Sequence, residues 1–78
     1  MPNPLSSSPL TVTKRQLEVL TLLANGRTYK QISLSLSISV PSIKVHVYRA
    51  RARLGASTRE EAVAKAVGAG LIIMEVQE

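Results

Sequence analysis

Between Ser37 and Gly55 the chain reads SISVPSIKVHVYRARARLG, with four basic side chains, Lys44, Arg49, Arg51 and Arg53, and no acidic one. Such donors hold phosphate oxygens or the acceptor atoms on a base edge. Among them stand Tyr48 and His46, the chain's single histidine. With no cysteine in the sequence, disulfides, thiolate metal sites and cysteine nucleophiles are excluded. A metal ligand needs companions, so His46 is expected as a packed residue at the flank of its element, and no metal is expected. The GRTYK stretch at 26–30 has one glycine and no Walker spacing, so it is no phosphate cradle. No nucleophile–base pair is visible, and neither an enzyme nor a cofactor is expected. The chemistry on offer is recognition of a polyanion.

The charge distribution agrees. Residues 1–38 carry four basic and one acidic side chain, 39–55 four and none, and 56–78 two and four, giving +3, +4 and −2 of the total +5. A basic centre beside an acidic end points one surface at an anionic partner. The other account of such a cluster is a solvated charged face.

These side chains need a frame, and 78 residues allow one small domain. Its core must be aliphatic, because there is no Phe or Trp and only Tyr29 and Tyr48 are aromatic. Three threonines are each followed three residues later by Gln or Glu: Thr13 with Gln16, Thr28 with Gln31, Thr58 with Glu61. Each pair can form a capping box that opens a helix, and each precedes apolar residues at helical spacing. The spacing predicts helices over about 14–24, 29–36 and 59–69, with Asn25–Gly26 ending the first and Gly70 closing the last. Leu17, Leu20, Leu23 and Ala24 form the inner stripe of the first, widened by Val19 and Leu22. Ile32 and Leu36 face inward from the second.

The basic segment is a third helix rather than a strand. Ser39 suits its N-cap, Pro41 falls in the first turn where a missing N–H is harmless, and Gly55 stops it. At 100° per residue Ile43, Val47, Ala50 and Leu54 lie within about 60° of arc, opposite Lys44, Val45, Tyr48 and Arg49. As a strand, neither face would be a clean core face. Two helices joined by the three-residue turn Ser37–Ser39, the second longer and basic, make a helix-turn-helix.

The segment VTKRQLEVLTLLANGRTYKQISLSLSISVPSIKVHVYRARARLGASTREEAVAKAVGAGLI, residues 12–72, resembles the LuxR-type (GerE-like, NarL-like) DNA-binding domain. EVLTLLANG, KQIS, LSIS, SIKVH and RLGASTREEAV carry the resemblance. It implies an all-α, four-helix fold and a sequence-specific transcriptional regulator that inserts the third helix in the major groove of double-stranded DNA. It also implies base contacts from Lys44, Val45 and Tyr48. Lysine can donate to guanine O6 or N7, valine can pack on a thymine methyl, and tyrosine can donate or pack. Phosphate contacts are expected from Thr28, Lys30, Ser42, Arg49, Arg51 and Arg27, with Thr28 discounted because capping occupies its hydroxyl. Arg53 is expected to lean inward onto a local carboxylate. Tyr29 stands where asparagine is common, and Ala50 where a larger aliphatic residue is usual.

The resemblance further implies a homodimer through the fourth helix. Val63, Val67 and the Glu60 stem are expected to face the core there. Ala62, Ala66 and Ala69 would make a second, small-residue face with Lys65 at its margin. Two-fold pairing would set two third helices roughly 34 Å apart on an inverted-repeat operator, with RNA polymerase as a further candidate partner. Leu71 and Ile72 are expected to close the core, with Ile73 and Met74 extending the dimer contact. Residues 1–11 read as a Pro/Ser-rich tail or linker and 73–78 as a C-terminal tail. No apolar run approaches the roughly 20 residues needed to span a bilayer, and a cytoplasmic location is expected. Two other readings fit a basic helical hairpin: a module resembling region 4 of a sigma factor, and a helical protein-interaction module.

Overall fold

The computed structural model describes residues 12–74. The tail expected over 1–11 and the last four residues, 75–78, lie outside them. Four helices follow one another: α1 (Lys14–Ala24), α2 (Tyr29–Leu36), α3 (Val40–Leu54) and α4 (Arg59–Gly68). No strand occurs among the described residues, so the fold is all-α.

Local chemistry sets the boundaries. Thr13 and Thr28 each accept from the backbone N–H three residues on, while Gln16 and Gln31 reach back to the cap N–H, completing two capping boxes. At α4 the expected reciprocity fails. Thr58 accepts from the Glu61 N–H at 3.0 Å, but the Glu61 carboxylate takes the N–H of Ser57 instead. The longer reach ties down the loop ahead of the helix. α3 ends on Gly55 with φ 66°, in the left-handed region that glycine enters without a Cβ clash.

Helix α3 is the spine of two apolar clusters. Its first half sends Ile43 and Val47 to meet Val19 of α1 and Ile32 of α2. Its second half sends Ala50 and Leu54 to meet Val12, Leu20, Ala62, Ala66 and Ile72. Val19 and Leu20, adjacent on α1, are both fully buried, one in each cluster; Val19 is therefore central, not the margin of its stripe.

The inner face of α4 differs from the expected one. Ala62 and Ala66 are fully buried, whereas Val63 and Val67 are half-buried against the same cluster and Glu60 is exposed. Alanine on α4 meets Ala50 on α3 within one cluster, so the small residue on α3 is matched by small residues opposite. Ile72 closes this core at 6% exposure.

Candidate nucleic-acid interface

The turn between α2 and α3 decides how α3 is presented. Ser37 adopts the left-handed conformation, φ 57°, the one non-glycine among the described residues to do so. Two bonds from Ser33 hold it there: the Ser33 hydroxyl donates to the Ile38 carbonyl, and the Ile38 N–H donates to the Ser33 carbonyl at 3.2 Å. Ile38, half-buried, packs on the first cluster. Ser39 then caps α3, accepting from the Ser42 N–H at 3.2 Å and donating its own proton to the Ser42 hydroxyl oxygen at 3.0 Å. The Ser42 proton is left for an outside acceptor.

With Ile43, Val47, Ala50 and Leu54 buried, the opposite side of α3 faces out. Lys44 and Arg49 are exposed, and so are Val45 at 44% and Tyr48 at 68%. Among the described residues no side-chain hydrogen bond or ion pair engages Lys44, Tyr48 or Arg49. Pro41, Ser42, Val45, His46 and Arg49 line one shallow concavity of about 300 Å³. His46, half-buried, thus opens onto the same surface as Val45 and Arg49 rather than being only a flank packing residue.

At the start of α2, Arg27, Thr28 and Lys30 are exposed. The Thr28 oxygen accepts from the Gln31 N–H at 3.1 Å, so only its proton remains to give.

A model of the luxR family of bacterial regulatory proteins (GerE) matches residues 10–66. The chain belongs to that family. A chain of the Vibrio cholerae VqmA dimer, a LuxR-type receptor, is similar at 27% identity with a TM-score of 0.75 over 83% of this sequence. The sequence spans 30% of that chain's length. Comparison with curated proteins gives no match.

Against the expectations for a LuxR-family helix-turn-helix, the structure brings Lys44, Val45, Tyr48, Ser42 and Arg49 onto one exposed surface but diverts several others. Arg51 is half-buried; its Nη2 donates to the Ser57 carbonyl, and its Nε is buried without a partner. It is not placed as a phosphate contact. Lys65 donates from Nζ to the Gly55 carbonyl at 2.9 Å. Together with Glu61 on the Ser57 N–H, these side chains fasten the α3–α4 turn. Gly55 is the C-cap of α3 and Ser57 lies in the loop beyond it; carbonyls outside a helix need a donor, and both side chains are within reach. Ala62 and Ala66 cannot form a dimer face, because both have zero exposure inside their own protomer. Ala69 remains exposed.

One cation was overlooked in the sequence. Arg59, the first residue of α4, lies over the Tyr29 ring, its guanidinium carbon 5.0 Å from the centroid, and Nε is 3.1 Å from the Glu60 carboxylate. The nearness of Tyr29, and then the bond to Glu60, raises the Arg59 pKa above its ordinary value. Glu60 is pushed the other way, first by its own backbone N–H and then by Arg59. The one signal in the sequence was Tyr29 itself, a bulky aromatic where asparagine is common. Among the described residues no helix is long and apolar enough to cross a membrane.

Proposed function

We propose that this LuxR-family domain binds a specific operator in double-stranded DNA as a homodimer, inserting α3 into the major groove. The observation that carries the reading is the outer side of α3: Lys44, Val45 and Tyr48 stand exposed on the side away from a stripe whose four apolar residues are all buried. A donor, an apolar contact and a donor that also packs are what base-edge readout requires. Arg49, Ser42, Lys30 and Arg27 supply charge and donors for the backbone, and Thr28 its remaining proton. Phosphate neutralisation then carries much of the affinity and α3 the choice of sequence.

Dimerisation uses the exposed side of α4. Ala64, Gly68 and Ala69 lie there, with the Lys65 stem beside them. Gly68 is the last residue of α4, its φ is not positive and nothing lies within 4 Å of where its Cβ would be, so neither conformation nor packing within the chain calls for glycine. A glycine there costs up to about 1 kcal/mol of helix stability relative to alanine; close approach of a second α4 gives it a use. Activity in the cytoplasm, and a contact with RNA polymerase once bound, go with such a regulator.

The test is selection of binding sites from random DNA with the 78-residue chain, followed by the same selection with Lys44→Ala. An inverted repeat with half-sites about one turn apart is expected. The variant should lose on the order of 1–3 kcal/mol and relax its choice at one base pair. If Lys44→Ala weakens selected and random DNA equally, α3 is not read in this register. With roughly 6–10 phosphate contacts per dimer, affinity should fall about 10³–10⁵-fold between 50 and 200 mM salt.

A further inference from the structure

We infer that Arg59 is a further phosphate-contacting residue, pre-set by Tyr29 and restrained by Glu60, so that the DNA-binding surface extends onto the start of α4. This rests on the proposed DNA-binding function and adds to it a third helix. Arg27, Thr28, Tyr29, Arg59 and Glu60 rim one open concavity of about 600 Å³, whose apolar floor includes Leu23 and Val63. Arg27 and Thr28 are backbone contacts in that reading. A phosphate oxygen that engages them therefore lies at a rim to which Arg59 also belongs.

The side chain is suited to the task. Its guanidinium stacks on an aromatic ring, which favours a cation and narrows the conformations that must be given up on binding. Half of its surface remains exposed, so donors remain for an outside oxygen. Other basic residues fail one of these conditions. Arg51 is committed to the Ser57 carbonyl, and Lys65 to the Gly55 carbonyl.

Glu60 acts in the opposite sense. Its carboxylate, 75% exposed, pairs with Arg59 Nε at 3.1 Å and presents negative charge beside the phosphate position. In free protein the carboxylate holds the guanidinium; in the complex a phosphate takes over part of that pairing while Glu60 repels the backbone. Removing Glu60's charge should therefore tighten binding, whereas removing Arg59 should loosen it.

The experiment measures affinity for the selected operator and for random DNA across 50–200 mM salt, using wild type, R59A, R59K and E60Q. Each lost phosphate contact lowers the log–log salt slope by about 0.9, so R59A in a dimer should lower it by about 1.8. The wild-type to R59A affinity ratio should then shrink about tenfold from 50 to 200 mM, equally on both DNAs, while R59K restores the slope. E60Q should bind more tightly than wild type, most clearly at 50 mM. An unchanged slope in R59A, or E60Q binding no more tightly than wild type, overturns the inference; the second arm stands even if R59A fails to fold. If Lys44→Ala still relaxes base choice while R59A keeps its slope, only the role of Arg59 is lost. If wild-type binding is itself insensitive to salt, both readings fall together.

Discussion

Helices α3 and α4 share a cluster but bury opposite kinds of residue. α3 puts Ile43 and Val47 into the core and buries an alanine, Ala50, where it meets α4. α4 buries Ala62 and Ala66 completely while Val63 and Val67 stay half-exposed. Bulk marks the inner face where a helix packs over an open space that side chains must fill. Where two helices face each other across alanines, smallness marks it, because a larger side chain would push the backbones apart. The same residue type therefore means different things on neighbouring helices.

The contrast can be broken by changing volume in opposite directions. Ile43→Ala should have the largest effect, about 2–5 kcal/mol lost in urea unfolding, because a side chain with zero exposure leaves a cavity that α1 and α2 cannot fill. On α4 the damaging change is an addition: Ala66→Leu should lose about 1–3 kcal/mol by overpacking. Ala64→Leu, on the exposed side of the same helix, should stay within about 0.5 kcal/mol in the monomer. If the two leucines behave alike, the alanine face is not a packed face.

Smaller tests probe the ends and the outer side. Thr28→Ala removes a cap that completes a reciprocal box and should lose about 0.5–2 kcal/mol, detectable as a lower urea midpoint with unchanged slope. Gly68→Ala should stabilise the isolated fold by up to about 1 kcal/mol, since its Cβ would enter open space. Sedimentation should at the same time show weaker self-association. A variant that gains stability and dimerises as before would remove the reason given for glycine at that position.

Much of this was legible in the amino-acid order. The α3 stripe was readable because Ile43, Val47, Ala50 and Leu54 repeat at helical spacing, and the caps of α1 and α2 because Thr and Gln sit three residues apart. The outward set Lys44, Val45 and Tyr48 followed from the same wheel. Arg51 and Lys65 were not readable in this way. Their roles depend on carbonyls of Ser57 and Gly55 that turn toward them only after the chain reverses at Gly55. Glu61 shows the limit within a single motif, since its carboxylate passes over the cap and takes Ser57 instead.

By itself the sequence determined four helices, their punctuation and the face of α3 that stays out of the core, because these follow from short-range hydrogen bonding and periodicity. The tertiary structure decided which side of α4 is buried, which cations hold the α3–α4 turn, and that Arg59 stands over Tyr29, thirty residues earlier in the chain. Those outcomes depend on how closely helices approach and where loop carbonyls point. Neither quantity exists until distant segments have packed together.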